Sequence, residues 1–292
     1  MKIEEGVELS RFTTLGTGGP ARAFARPEQG AEVGELLHWA AERDMTVAVV
    51  GLGSNLLAAD AGVDALVLKL GGSLARVEVD GDVLRAGAGA ANAVCLHRAR
   101  DAGLGGFEFA CAIPGTIGGG VWMNAGAYGS DFSAVLERAF VATADGSGWL
   151  TPAELGLSYR HSELEHGQVV LEAELRLRPR PSEEIRADVR ELNAQRKDAQ
   201  PTNKRTFGSV FKNPAHELSA GRMLDVCGLR GFTIGGACIS PKHANFIENA
   251  GGATTADALA LMAESRRRAH EEFGVVLEHE VEFLGEISLP EL

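Results

Sequence analysis

Tyrosine is nearly missing from this sequence, with two in 292 residues. Cysteine is sparse too, and Cys95, Cys111, Cys227 and Cys238 show no close pairing of the zinc-binding or redox kind. Their neighbours are apolar or small, which predicts buried free thiols. No run approaches the roughly 20 apolar residues of a membrane span. The start, Met-Lys-Ile-Glu-Glu-Gly, is acidic and lacks an apolar secretory core. These absences predict a reduced, soluble, cytoplasmic protein. A formal charge of -12 lacks the basic stripe of a general nucleic-acid binder, yet leaves room for a local cationic pocket. There is no internal repeat and no low-complexity tract.

What is present is glycine, 37 residues of it, in clusters that read as loop chemistry within an otherwise ordinary globular composition. Apolar spacing predicts a helix over 31–44 with Val33, Leu36, Leu37, Ala40 and Ala41 on one face. A buried strand at 47–50 runs straight into Gly51-Leu-Gly-Ser-Asn55, and another follows at 65–68. A hairpin with Asp80-Gly81 at its turn and a helix over 91–102 ended by Gly103 come next. Then an alternating strand carries Leu171, Ala173, Leu175 and Leu177. A helix from Ser182 to Asp198 has Ser182 as its N-cap and Ile185, Val189 and Leu192 inward. Beyond the linker at Gln200-Pro201 lie a short helix near 219–227, a glycine-broken strand at 232–240, a helix near 255–273 and a final strand over 275–283. Strands outnumber helices in the middle of the chain, so the fold class is α+β.

Two glycine segments carry candidate chemistry. Gly51-Leu-Gly-Ser-Asn55 follows a strand, where amides freed by glycine can cradle a diphosphate, or simply form a tight turn. It fits neither the Walker nor the Rossmann pattern. Residues 105–129 hold Pro114-Gly-Thr-Ile-Gly-Gly-Gly120 and Asn124-Ala-Gly-Ala127, small-residue surfaces on which a large flat ligand can lie. Two such surfaces suggest an extended dinucleotide; two close-packed turns are the plainer reading.

Leu52-Gly-Ser-Asn-Leu56, Ala112-Ile-Pro-Gly-Thr-Ile-Gly-Gly119, Met123-Asn-Ala-Gly-Ala-Tyr-Gly129, Ser158-Tyr-Arg160, Gly208-Ser-Val-Phe-Lys-Asn-Pro214 and Lys242-His-Ala-Asn-Phe246 occur in one order. Together, from about Phe12 to Gly285, they closely resemble the UDP-N-acetylenolpyruvoylglucosamine reductases (UDP-N-acetylmuramate dehydrogenases) of peptidoglycan precursor synthesis. The resemblance implies a two-domain FAD-binding module of the vanillyl-alcohol-oxidase type plus a C-terminal α+β substrate-binding domain. Its expected division is 1–76 and 77–198 for FAD, with the chain returning near 279–292, and 199–278 for substrate. Both tyrosines, Tyr128 and Tyr159, fall inside shared motifs, so none is left for a tyrosine-bearing lid loop, as in the family's shorter form.

The implied reaction is reduction of UDP-N-acetylglucosamine enolpyruvate, with FAD as cofactor and NADPH as hydride donor. Matched positions make Ser209 the proton donor, Arg160 the carboxylate ligand and Glu280 the carboxylate acting beside them. In an extended strand Glu278, Glu280 and Glu282 would share one face; periodicity alone does not choose among them. The family usually has Leu-Glu-Pro-Glu here, then an apolar residue and Arg, so His279 and Glu282 depart from it. So does Phe207, where alanine is common before the Gly-Ser pair; a bulky ring there could alter how the loop packs on substrate. The matched cofactor-binding positions are Gly51, Gly53, Ser54, Asn55, Leu56, Pro114, Gly115, Thr116, Gly118, Gly119, Asn124, Ala125 and Gly126. Those for substrate are Tyr159, Lys212, Asn213, Lys242 and His243, although Lys212, Asn213, Lys242 and His243 serve equally well as loop-capping residues. The reading needs no metal, since no second ligand lies at helical or hairpin spacing from His243. It needs no nucleic acid, membrane or obligatory protein partner. Another flavin oxidoreductase of the same fold group, or a non-catalytic UDP-sugar binder, are the alternatives.

Overall fold

The computed structural model describes residues 2–292. The chain forms two compact units. One comprises Ala23–Leu52 and Ala65–Arg196 with the first residues up to Glu4; the other comprises Glu5–Arg22, Gly53–Asp64 and Lys197–Leu292.

In the first unit the helix Gly30–Ala41 buries Val33, Leu36, Leu37 and Ala40. Ala41, expected on the same face, is exposed at the frayed end. The strand Thr46–Val49 pairs in parallel with residues 65–68, so Gly51 follows directly at the carboxyl edge of the pair. Ligands of α/β sheets characteristically sit at such edges. The larger sheet is five-stranded and antiparallel, in the order Gly146–Leu150, Leu136–Thr143, Val169–Arg176, Val83–Gly87, Val77–Asp80. Its edge hairpin pairs Asp80 with Val83, so the two turn residues are Gly81 and Asp82, with Gly81 at φ 60°. The expected helices are present at Asn92–Asp101 and Ser182–Ala199. Ser182 does not cap the latter: it is the first helical residue, its hydroxyl donates to the Arg100 carbonyl, and Ile185 N–H bonds back to Pro181.

Beneath the second glycine segment, the rings of Phe107, Phe109 and Phe132 meet edge to face with centroids 5.4–6.1 Å apart. The short helix Ile117–Trp122 lies so close to this cluster that a Cβ on Gly120 would fall 2.1 Å from the Phe132 ring. Gly120 is therefore a packing glycine.

The second unit holds an antiparallel sheet in the order Thr206–Ser209, Phe246–Asn249, Ala237–Ile239, Thr233–Ile234. The helix Thr255–Phe273 begins with a reciprocal Thr254/Asp257 capping box and ends at Gly274 in the left-handed region. Asp60 adds its carboxylate to the amides of Thr255 and Ala256 at 3.0 and 2.9 Å, a favourable charge for a helix N-terminus.

The final strand is much shorter than its alternation predicts. Residues 275–283 make one bridge, His279 with Phe211, and regular pairing is confined to Glu282–Leu284, parallel to Leu56–Ala58. The cause is a change of partner: Glu280 N–H donates to Val210, while Glu282 N–H donates to Asn55. Apolar alternation survives only in part. Leu277 and Val281 are buried, but His279 is exposed and stacks on Phe283 at 4.3 Å.

All four thiols are free; Cys95 is fully buried, which pushes it up to about 12, while the other three are half-buried.

Phe207, the departure beside the candidate proton donor, is fully buried in the second unit's core with Met223, Leu224, Ile247 and Met262. Gly208 at φ 83° and a register shift between Thr206 and Ser209 break the strand's alternation there. The ring therefore enters the core while Ser209 stays half-exposed. Phe207→Ala should lower unfolding free energy in urea by about 3–5 kcal/mol, as expected when a buried aromatic side chain is removed. A loss below about 1 kcal/mol would contradict this packing.

Candidate functional site

In the first unit the two glycine segments come together. A Cβ on Gly51 would lie 2.6 Å from Thr116 Oγ1, so glycine alone lets the turn close on this threonine. Thr116 caps Ile117–Trp122, accepting from Gly119 N–H at 3.5 Å. Ile117 and Gly118 donate to Ala90 and Ala88 at 2.9 and 2.8 Å, fixing the start of the short helix. Gly118 meets Ala88 closely, whereas a Cβ on Gly119 would touch only Thr116 Oγ1, at 3.7 Å. Pro114 and Gly119 are exposed, and Gly115 and Gly118 are half-exposed. The result is a small-residue surface with backbone at its face, the shape a flat or phosphorylated ligand requires.

Sequence reasoning missed Lys69. It is half-buried and its Nζ donates to the Gly51 carbonyl. Burial, with Arg26 nearby, pulls this ammonium below its ordinary value. A peptide unit is planar and trans, so a Gly51 carbonyl held toward Lys69 aims the Leu52 N–H the opposite way. A cation immediately after the strand beside a glycine turn was the available signal.

Asn124 is buried and sits at φ 39°, a conformation asparagine tolerates better than most residues. Its side chain donates to the Ser158 carbonyl and accepts from Ser133 N–H, both at 2.9 Å. Ser162 Oγ adds a bond to the Trp122 carbonyl at 2.6 Å. These tie down a tight turn in which Ser158 and His161 exchange backbone bonds. Tyr159 and Arg160 stand at its corner, Arg160 at φ 54°. The Arg160 guanidinium reaches the Gly126 carbonyl at 2.6 Å and lies 5.2 Å from the exposed Tyr159 ring. Ala125 N–H donates to the Gly120 carbonyl at 2.9 Å.

In the second unit Gly53 is obligatory: at φ 67°, its Cβ would fall 1.8 Å from the Phe12 carbonyl oxygen. Leu56 is a core residue in the strand paired with Glu282–Leu284, so its side chain is spent on packing. Asn55 directs its amide to the Glu280 carbonyl at 3.0 Å. Ser209 and Glu280 belong to neighbouring segments, because Glu280 N–H donates to Val210 at 2.8 Å. Lys212 N–H donates to Glu278, and its ammonium lies 3.7 Å from the Glu278 carboxylate. Asn213 Oδ1 accepts from Ala220 N–H at 3.1 Å, as a loop-capping residue does. Lys242 is exposed and donates to the Lys197 carbonyl. His243 is half-buried against Phe246; burial and Arg230 pull its imidazole below the usual value, and Nδ1 accepts from Asn245 N–H at 3.2 Å. Of the three candidate catalytic residues, Arg160 thus belongs to the first unit, and Ser209 and Glu280 to the second. Among the described residues no group of three His, Cys, Asp or Glu side chains could hold a metal, and no helix is long and apolar enough to cross a membrane.

The C-terminal domain of UDP-N-acetylenolpyruvoylglucosamine reductases matches residues 200–284, and an FAD-binding domain matches 21–149. A reductase of this name from Anaeromyxobacter dehalogenans is 44% identical over 284 residues, covering 97% of this chain and 86% of its own. The chain belongs to the UDP-N-acetylenolpyruvoylglucosamine reductase family. Another reductase, from Bacillus licheniformis, is 39% identical, with 98% of this chain and 95% of its own covered. The crystal structure of the Thermus caldophilus reductase superposes with a TM-score of 0.85 at 38% identity, covering 97% of this chain and 99% of that one. The chain is accordingly an FAD-dependent oxidoreductase with an α+β fold.

Asn124→Ala removes both buried bonds and places alanine at positive φ. It should cost roughly 2–4 kcal/mol in urea unfolding, from two lost hydrogen bonds and the backbone strain. A change under about 0.5 kcal/mol would show that the Tyr159–Arg160 turn is anchored elsewhere.

Proposed function

We propose that the protein reduces UDP-N-acetylglucosamine enolpyruvate to UDP-N-acetylmuramate, using NADPH, in a cytoplasmic step of peptidoglycan precursor synthesis. The observation that carries the reading is the pairing of a half-exposed Ser209 beside a positive-φ glycine with the segment bearing Glu280, whose amide bonds to Val210. Residues 1–76 and 77–198, with a return near 279–292, would serve FAD, and 199–278 the substrate.

The glycine surfaces fit a flavin dinucleotide: a side chain at Gly51 or Gly118 would collide with its neighbours, while Gly119 opens outward. Backbone from Gly51, Pro114, Gly115, Thr116, Gly118, Gly119 and Gly126 would hold the cofactor, with Gly53 and Ser54 from the second unit. FAD bound there would supply a two-electron carrier between NADPH and the vinyl carbon of the enolpyruvyl ether.

The chain's own residues handle the charge and the proton. Hydride addition to the vinyl terminus leaves negative charge at C2, delocalised into the adjacent carboxylate. The fixed donors of Arg160 suit that planar carboxylate and can follow the charge as it grows. Ser209 Oγ–H gives its proton to C2; a serine hydroxyl is a weak acid, but an enolate carbon is a far stronger base than ordinary oxygen or nitrogen acceptors. Glu280 polarises the enolate system or orients the donor. Lys212, Lys242 and His243 would face the sugar nucleotide, and Tyr159 would flank Arg160. With Tyr128 and Tyr159 both in shared motifs, the chain is of the short form without a tyrosine lid loop.

Anaerobic rapid mixing separates the half-reactions. Ser209→Ala should still be bleached by NADPH, while reoxidation by UDP-N-acetylglucosamine enolpyruvate slows about 10²–10⁴-fold, the range for loss of a general acid. Equal reoxidation rates would remove Ser209 from the mechanism. A wild-type flavin that the enolpyruvyl substrate fails to reoxidise would overturn the proposed reaction itself.

A further inference from the structure

Asn55 lies in the glycine turn, yet its side chain does not face outward from it. The amide nitrogen donates to the Glu280 carbonyl at 3.0 Å, and the Asn55 carbonyl accepts from Glu282 N–H at 3.0 Å. The residue therefore grips the main chain on both sides of Val281, immediately C-terminal to the Glu280 Cα. Its neighbour Ser54 presents a carbonyl oxygen 3.2 Å from where a Cβ on Gly208 would lie. The Ser54-Asn55 dipeptide is thus wedged between the Gly208-Ser209 turn and the Glu280 segment, all within the second unit.

The Glu280 segment needs such a support. It is irregular between the bridge at His279 and the strand beginning at Glu282, so no ladder fixes it. Glu280 N–H is held by Val210 and its C=O by the Asn55 side chain. His279 stiffens the same stretch, its Nδ1 bonded to the Val281 carbonyl at 2.8 Å and its ring stacked on Phe283.

We propose that Asn55 is a positioning residue for Glu280, holding that carboxylate in register with Ser209 from within the turn otherwise assigned to the cofactor. The proposal rests on the reductase reading, in which Glu280 acts on the substrate. Loss of the Asn55 amide removes this bond to the Glu280 carbonyl and lets the main chain that carries the carboxylate shift. A displacement of about 1 Å in a catalytic group costs up to roughly 10²-fold in rate.

The test uses the FAD-loaded full chain and four proteins: wild type, Asn55→Ala, Glu280→Gln and the double variant. Asn55→Ala should slow reoxidation by UDP-N-acetylglucosamine enolpyruvate by about 10–100-fold. Flavin reduction by NADPH should slow far less than reoxidation does, because Glu280 has no part in that half-reaction. The double variant should be no slower than Glu280→Gln alone, since a residue acting through Glu280 has nothing left to lose once the carboxylate is gone. Asn55→Asp, which keeps the shape and removes the donor, should behave like Asn55→Ala and covers the case in which alanine unfolds the turn. Multiplicative losses in the double variant, equal damage to both half-reactions, or loss of flavin from both Asn55 variants would overturn the inference. None of these outcomes bears on the reductase reading, which fails only if wild-type flavin is not reoxidised by the substrate.

Discussion

Close approach of backbone to its surroundings at the turn Gly51–Asn55 is the constraint on which the candidate site depends. Gly51 admits the Thr116 hydroxyl at a distance no Cβ allows, and Gly53 admits the Phe12 carbonyl more closely still. A side chain at Gly51 would push Thr116 away within the first unit, and one at Gly53 would push Phe12 away within the second. Because the turn is pinned, its remaining groups acquire fixed directions. The Gly51 carbonyl is held by Lys69, the Gly53 carbonyl takes two bonds from Thr14, and the Asn55 amide reaches Glu280. One short stretch thereby fixes backbone beside Thr116 in the first unit and the Glu280 main chain in the second.

Much of this was legible in the sequence because it rests on local rules. The helix Gly30–Ala41 follows from apolar spacing, and the strand Thr46–Val49 from an apolar run ended by glycine. Positive-φ glycines at 81 and 103 mark the hairpin turn and the helix end that the sequence already suggested. The motif order carried the family, and the matched domains and relatives place the chain in it.

What was not legible depends on partners distant in sequence. Alternation over residues 275–283 predicts one strand, but it cannot show that Glu280 and Glu282 bond to different segments. Phe207 reads as a ring beside the substrate loop because its neighbour is Ser209; only the irregularity at Gly208 sends it into the core. Asn124 and Asn55 sit in glycine-rich motifs and read as ligand contacts. Their side chains bond within the chain, to Ser158 and Ser133 and to Glu280, over separations from 9 to 225 residues. Lys69 carries no motif at all. Its placement follows from the parallel pairing of 46–49 with 65–68, which sets both strand ends side by side.

The central claim is that hydride and proton arrive at adjacent carbons, with Ser209 supplying the proton to C2. Turnover of the enolpyruvyl substrate with unlabelled NADPH in deuterated water tests it most directly, with the product read by NMR. The account predicts one deuterium at C2 of the lactyl ether in a single configuration; label in the methyl group is not diagnostic, because the N–H of a reduced flavin exchanges with water. Product lacking deuterium at C2, or equal amounts of both configurations there, would contradict it.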